Sequence, residues 1–115
     1  MDDDLTIAKA RKSLKKKEFS SVELAKYYLN RIEKHKSLNA YITVDSEMVL
    51  NSAKRADELL DKKDEKSLTG IPIAVKDIFC TKGLRTTAAS KMLTDFVQEY
   101  ESTVTQNLLN NGAIF

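Results

Sequence analysis

The sequence predicts an α/β fold in which N-terminal helices lead into the start of a mixed, mostly parallel sheet that is incomplete in this chain. Two observations carry this prediction. Residues 1–66 hold 28 of the 36 charged side chains (15 of 19 Lys and Arg, 13 of 17 Asp and Glu) and show helical periodicity. Residues 67–115 are less charged and change to a strand–helix–strand order, which is typical of a parallel crossover unit. We therefore interpret residues 1–115 as the N-terminal portion of one domain.

Charge and capping residues delimit the predicted helices of the first region. The first helix is expected over residues 4–17, because aspartates at 2–4 and lysines at 15–17 suit the two ends of the helix dipole. Ser20, with Glu23 three residues later, fits a capping box and starts a second helix that runs to about residue 36.

Residues 41–44 (Tyr-Ile-Thr-Val) separate the second helix from the third. They are rich in residues that favour strands, and we expect a strand or an extended segment. Asp45 follows as a plausible N-cap of a third helix over about residues 46–63.

The second region, residues 67–115, begins with an apolar alternation. Ile71, Ile73 and Val75 alternate with other residues just after Gly70, which predicts a strand. Lys82 and Gly83 form a predicted turn.

A helix and a second strand complete the predicted order. Ser102 is expected to cap a helix through Asn110, with Val104, Leu108 and Leu109 as its apolar side. Asn111 and Gly112 give a C-cap signal, and residues 113–115 then open the second strand. Because a parallel strand needs neighbours, this order indicates a fragment of a larger sheet.

Composition excludes several classes of protein. The chain has no apolar run long enough to cross a bilayer, and its acidic first residues do not fit a secretory signal. A single cysteine, Cys80, cannot form an internal disulfide, so a cytoplasmic protein is the default expectation. One Cys and one His without ligand spacing give no support for a metal site.

Lys76 is the candidate catalytic residue. It ends the clearest apolar strand, and ligands of open α/β sheets bind at the carboxyl ends of strands. A lysine acts as a general base only when burial or a nearby cation lowers its pKa. On the residues alone, a lysine that leaves the sheet for solvent is the more common alternative.

The stretch from Leu68 to Asp77 (Leu-Thr-Gly-Ile-Pro-Ile-Ala-Val-Lys-Asp) resembles the core motif of the amidase-signature family, Gly-Ile-Pro-(Ile/Val)-Ala-(Val/Ile)-Lys-Asp. The resemblance covers nearly the whole chain, and within the family it is greatest to the glutaminase (A) subunits of glutamyl-tRNA(Gln) amidotransferases. Other segments match the family in order and at its spacing: 20–24, 38–44, 80–83, 86–87, 89–93, 100–104 and 112–114.

The resemblance implies a Ser–cis-Ser–Lys triad in which Lys76 is the lysine and glutamine is hydrolysed to supply ammonia. Both serines would lie in a downstream Gly/Ser-rich segment, so we expect these 115 residues alone to be inactive. The resemblance also implies the B and C subunits as partners, with tRNA, ATP and Mg²⁺ handled by the B subunit. No cofactor is expected in this chain.

Departures and alternatives remain at this point. Gln98 and Glu99 stand where the family has a proline-containing pair, and Glu101 replaces an Asp, which puts loop geometry in doubt.

The alternative functions are another amidase-signature amide hydrolase, or a non-catalytic module that acts through protein contacts. We expect Cys80 to be structural, and the basic end of the first helix to be solvated rather than bound to RNA.

Overall fold

The structure, a computed structural model, describes residues 4–115. Within this range it contains four α-helices, which are α1 (Ile7–Lys15), α2 (Ser21–Lys34), α3 (Ser46–Asp61) and α4 (Thr103–Asn110). Two single-turn 3₁₀ helices, Lys36–Leu38 and Lys91–Leu93, lie between them. The predicted order of helices is therefore confirmed.

Helix α1 begins later than predicted. Thr6 is its N-cap, and the Thr6 hydroxyl accepts a hydrogen bond from Lys9 N at 3.2 Å. Asp4 thus precedes the helix, and the predicted acidic residues 2 and 3 lie outside the described residues. The predicted start at residue 4 was wrong because the Thr6 hydroxyl accepts from Lys9 N and so makes Thr6 the N-cap.

Helices α2 and α3 begin at the predicted caps. The Ser20 hydroxyl accepts from Glu23 N at 3.0 Å, and the Glu23 carboxylate accepts from Ser20 N at 2.7 Å, which confirms the capping box. The Asp45 carboxylate accepts from Met48 N at 2.9 Å and starts α3. Each cap pairs amide groups that the first helical turn leaves without partners.

Helix α2 lies between two apolar clusters. The first cluster joins Leu24 to buried residues of α1 and to Ile71, and the second joins Ala25 to alanines of α3 and to Ile114. Consecutive residues of α2 therefore contact different neighbours. The buried members of the two clusters are Ala10, Leu14, Leu24, Ile71, Ala25, Ala53, Ala56 and Ile114.

A hydrogen-bonded junction fixes the N-terminus of α2. Asp57 of α3 accepts from Ser21 N at 2.6 Å and from Val22 N at 3.2 Å. The Ser21 hydroxyl, fully buried, donates to the carbonyl of Gly70 at 3.1 Å. Three separate segments of the chain meet at this one residue.

The predicted sheet is not confirmed in residues 4–115. The segments around Pro72 and Ile114 pair in parallel through one isolated bridge, with Ile73 N to Ile114 O at 2.8 Å and Ile114 N to Ile71 O at 3.0 Å. This is the predicted parallel direction, but neither segment is long enough to be a strand. Residues 74–76 have no strand beside them among the described residues, and a strand requires a partner for its N–H and C=O groups.

Two other predicted features are corrected. Residues 41–44 form no strand, so the strand alternative was wrong, while the alternative of an extended segment stays a prediction. Tyr41 and Ile42 are half-exposed. In α4, capped by Ser102 as predicted, Val104 is 48% exposed and Leu109 is 37% exposed. The buried residue of α4 is Thr105, because its hydroxyl donates to the carbonyl of Cys80 at 2.9 Å.

Gly112 ends α4 in a left-handed conformation, with φ of 88°. A Cβ atom on this residue would lie 2.4 Å from Thr69 Oγ1 and 2.8 Å from Thr69 Cα. The predicted C-cap glycine is therefore confirmed, and the close approach brings residues 112–114 beside residues 69–73.

None of the helices in residues 4–115 has the length and apolar character needed to cross a membrane.

We expect Asp57→Ala to lower the free energy of unfolding by about 1–2 kcal/mol, because it removes the carboxylate that caps α2. Urea denaturation measures this loss. Asp61→Ala is the matched control on the same helix, since Asp61 makes an exposed ion pair with Lys17 at 2.6 Å and such pairs contribute little. Equal losses in the two variants would contradict the role of Asp57.

We expect Gly112→Ala to destabilise the protein by more than Gly83→Ala. Both glycines have positive φ, of 88° and 79°, so both variants incur the backbone cost of about 1–2 kcal/mol. At Gly83 the nearest atom to a new Cβ is Met48 Cε at 3.7 Å, so only Gly112→Ala adds a steric clash. Thermal denaturation compares the two, and a smaller effect at Gly112 would show that Thr69 moves freely.

Candidate active site

A cavity of about 840 Å³ lies on the side of α2 that faces residues 72–79. Its walls come from α2, from residues 40–45, from residues 72–79 and from residues 84–89. Most of the lining is apolar, and its charged residues are Asp45, Lys76, Asp77 and Arg85. A cavity that combines apolar walls with a few polar groups is the usual form of a small-molecule site.

Lys76 lines this cavity and its side chain is exposed. The carbonyl of Lys76 accepts a hydrogen bond from Phe79 N at 3.0 Å, so the chain turns immediately after it. The sequence predicted that Lys76 ends an apolar strand. In the described residues Ala74, two residues before it, is also exposed to solvent, so this segment does not bury Lys76. The catalytic role of Lys76 stays a prediction.

Asp77, the next residue, anchors the loop that follows. Its carboxylate accepts hydrogen bonds from the Thr87 hydroxyl, from Thr87 N at 2.9 Å and from Ala89 N at 3.4 Å. Its main-chain carbonyl accepts from Ala88 N at 2.9 Å. One residue thus binds three consecutive residues of the loop.

The electrostatics of Asp77 follow from these contacts. Partial burial raises the pKa of Asp77, but the hydrogen bonds from Thr87 and Ala89 and the positive charge of Arg85 outweigh it. The pKa of Asp77 therefore lies below its usual value. The charged carboxylate is the form that the loop stabilises.

Arg85 joins the same loop to the segment before α3. Its guanidinium donates to the Thr43 hydroxyl at 3.2 Å, to the Ile42 carbonyl at 3.0 Å and to the Thr94 carbonyl at 3.3 Å. Residues 42 and 43, which form no strand, are joined to the loop by the Arg85 side chain. Arg85 thereby fixes a second wall of the cavity.

The sequence analysis did not identify Asp77 or Arg85 as residues of the site. Asp77 appeared there only as the neighbour of Lys76 and as the end of a motif. The signal that could have found it is the pair of threonines, Thr86 and Thr87, which can donate to a carboxylate from a nearby turn. Nothing comparable in the sequence indicates the partners of Arg85, because two of them lie more than 40 residues away.

Cys80 lies outside this network. Its thiol, half-buried, contacts the Tyr100 hydroxyl at 3.5 Å, and this hydrogen bond raises the pKa of Tyr100. His35, the C-cap of α2, belongs to a different part of the chain. The contact agrees with the structural role expected for Cys80.

The positions that depart from the family pattern occupy a separate loop. Gln98 is buried beside Lys82, and Glu101 accepts from Lys82 N at 3.0 Å. One side-chain oxygen of each residue, Oε1 of Gln98 and Oε2 of Glu101, is buried without a hydrogen-bond partner. The departures therefore affect the packing of this loop and leave the lysine motif intact.

Acidic partners engage two lysines at the end of α1 and beyond it. Lys15 lies 2.7 Å from Glu65, and Lys17 lies 2.6 Å from Asp61. These ion pairs favour the interpretation of a solvated helix end over an RNA-binding surface. No group of three or more His, Cys, Asp or Glu side chains is placed to hold a metal ion in the part of the chain that the structure describes.

Acid should release the loop at Asp77. Because the folded-state pKa of Asp77 is lowered, its stabilising effect is present above the ordinary pKa, about 3.9, and is lost as the pH falls through the lower folded value. We expect the NMR shift of the Thr87 amide to titrate with a midpoint below that ordinary value. Asp77→Asn should abolish the step, and a midpoint at or above the ordinary value would contradict the network.

Comparison with known proteins extends these observations. The sequence profile of the amidase family matches residues 23–115. The chain is 49% identical over 110 residues to the A subunit of the glutamyl-tRNA(Gln) amidotransferase of Rickettsia bellii (strain OSU 85-389), covering 96% of this chain and 22% of that protein. It is 50% identical over 113 residues to the protein of the same name from Gluconobacter oxydans (strain 621H), covering 97% of this chain and 23% of that protein.

Solved structures give the same result for the fold. An amidase family protein from Bacillus anthracis str. Ames superposes with a TM-score of 0.88 at 26% identity, covering 97% of this chain and 23% of that one. A protein from a vestigial complex related to an s-triazine catabolic enzyme also gives 0.88, at 22% identity, with 96% of this chain and 25% of that one covered. This second likeness concerns the fold alone.

The chain spans between a fifth and a quarter of the length of the curated relatives, 22% and 23% of the two named above. The family profile covers most of the chain and includes the segment that carries Lys76 and Asp77. With these matches and the shared fold, the chain belongs to the amidase family.

Proposed function

We propose that these residues form the N-terminal part of the glutaminase (A) subunit of a glutamyl-tRNA(Gln) amidotransferase. The observation that carries the proposal is the identity of 47–50% to proteins of that name over at least 96% of this chain. The sheet that residues 71–73 and 113–115 begin would then be completed by other parts of the protein. Their parallel pairing supports this, since a parallel pair is stable only inside a larger sheet.

In this proposal Lys76 is the base of a Ser–cis-Ser–Lys triad. Neutral Lys76 takes a proton from the cis serine, which takes one from the nucleophilic serine. The nucleophile attacks the side-chain amide of glutamine, and the C–N bond breaks as the proton held by Lys76 returns through the cis serine to the leaving nitrogen. A glutamyl ester and ammonia result, and water then hydrolyses the ester to release glutamate. Lys76 needs a desolvated setting for this step. The apolar cavity walls beside it support the proposal, because they would form part of such a setting if a further surface covered the exposed Lys76.

The partners and cofactors follow from the same proposal. The B and C subunits would complete a heterotrimer, and the ammonia would convert Glu-tRNA(Gln) to Gln-tRNA(Gln) in the cytoplasm. ATP and Mg²⁺ would activate the glutamyl group on the B subunit. Residues 4–115 offer no cluster of three metal-ligating side chains, so we assign no step of this activation to the described part of the chain.

An alternative function is amide hydrolysis of a different small substrate. The likeness to the Bacillus anthracis amidase family protein, with a TM-score of 0.88, keeps this candidate open. A second alternative is a non-catalytic module that acts through protein contacts. A reading frame that continues past Phe115 into a Gly/Ser-rich run supports an enzyme, and a stop codon there supports the module.

We expect Lys76→Ala in the full-length protein to lower the rate of glutamine hydrolysis by about 100- to 10,000-fold, because it removes the general base. Ammonia release measures this rate, and circular dichroism checks that the variant folds. Lys82→Ala is the matched control, since Lys82 is an exposed lysine in the next turn of the chain. Unchanged hydrolysis in Lys76→Ala would refute the assigned role. Hydrolysis of small amides but not of glutamine by the unaltered protein would favour the alternative hydrolase.

A further inference from the structure

Asp77 accepts hydrogen bonds from three consecutive residues of the loop at the cavity wall, and the catalytic role proposed for Lys76 does not account for them. We propose that Asp77 is a positioning residue that holds residues 87–89 as a wall of the substrate cavity and fixes the backbone beside Lys76. The activity part of this inference depends on the proposed amide hydrolysis. Its structural part can be tested without activity.

Hydrogen bonds from three consecutive residues of the loop converge on Asp77. The carboxylate of Asp77 accepts from Thr87 N, from the Thr87 hydroxyl and from Ala89 N, and the Asp77 carbonyl accepts from Ala88 N. Thr87 is buried, with 6% exposure, so its amide and hydroxyl have little access to water as an alternative acceptor. Ala88 and Ala89 are exposed, and Ala89 N also donates to the Thr87 hydroxyl oxygen at 3.1 Å. Buried amide groups require partners, and for the Thr87 amide Asp77 provides one.

These hydrogen bonds maintain an unusual backbone conformation in the loop. Ala88 and Ala89 have φ of 46° and 57°, a left-handed conformation that residues with a Cβ atom disfavour. Two such residues in sequence persist only where the surrounding contacts hold them. Both alanines line the cavity, so the unusual conformation gives the wall its shape.

Asp77 also connects this wall to Lys76. Asp77 shares a peptide bond with Lys76, and the Lys76 carbonyl accepts from Phe79 N at 3.0 Å in the turn. Upstream, Ile73 N donates to Ile114 O at 2.8 Å. The backbone on either side of Lys76 is therefore held at two points, and Asp77 provides the downstream one. Loss of its contacts frees both the wall and the position of Lys76.

The test compares Asp77→Ala, Asp77→Asn and Thr87→Val in the full-length protein. Asparagine keeps an acceptor for Thr87 N, so Asp77→Asn should lower kcat/KM for amide hydrolysis by less than Asp77→Ala. We expect about a 100-fold loss for Asp77→Ala, since small displacements of a catalytic group have effects of this size. Hydrogen exchange of the Thr87 amide, which donates to Asp77 at 2.9 Å, should accelerate in Asp77→Ala, while exchange in α2 and α3 stays unchanged. Asp64→Ala, in the exposed turn after α3, is the control for loss of one negative charge.

A double-mutant cycle separates positioning from general destabilisation. If Asp77 acts through the loop, Asp77→Ala combined with Thr87→Val should be no worse in kcat/KM than Asp77→Ala alone. Losses that multiply, or unchanged exchange at Thr87 in Asp77→Ala, would overturn the inference. If Asp77→Ala does not fold, Asp77→Asn and Thr87→Val complete the same comparison. Retained hydrolysis in Lys76→Ala would refute the proposed function instead, and the exchange result at Thr87 would still decide the role of Asp77 in the loop.

Discussion

The junction at Ser21 is the interaction on which the rest of this structure depends. The carboxylate of Asp57 accepts from the first two amide groups of α2, and the Ser21 hydroxyl donates to Gly70. These contacts fix α2 against α3 and place the chain that leaves Gly70 at the end of α2. Gly70 and Ser21 approach each other so closely that a Cβ atom on Gly70 would lie 3.0 Å from Ser21 Oγ. Ile71 then enters the first apolar cluster, and Lys76 follows five residues later.

From Gly70 onward, hydrogen bonds and not a sheet determine where the site residues lie. Residues 71–73 pair with residues 112–114 over a single bridge. The next contact along the chain that joins it to a distant segment is the hydrogen bond between Asp77 and Thr87 N. Arg85 extends the same loop to residues 42–43. The cavity wall around Lys76 is consequently a set of loops joined by side chains. Because of this, one carboxylate and one guanidinium have a large influence on its shape. The cavity is open to solvent at Lys76, and under the proposed function the surface that covers this lysine would also bring the two serines.

The sequence determined the features that depend on neighbours along the chain. The caps at Ser20, Asp45 and Ser102 predicted the starts of α2, α3 and α4, because each cap is a hydrogen bond within three residues. The family was predicted from the resemblance of the motif around Lys76, and of the segments on both sides of it, to the amidase-signature pattern. The start of α1 was wrong because Thr6 and the acidic run before it are both plausible local caps.

Only the tertiary structure decided the features that depend on distant pairing. In residues 4–115 the predicted sheet is a single bridge between the segments at Pro72 and Ile114, because residues 74–76 have no strand beside them to pair with their N–H and C=O groups. Val104 and Leu109 proved to be exposed although their spacing predicted an apolar face. Asp77 and Arg85 were recognised as site residues only from their contacts, which join segments 10 and more than 40 residues apart. Helical caps are local and can be read from sequence, whereas the walls of this cavity come from contacts that exist only once the chain has folded.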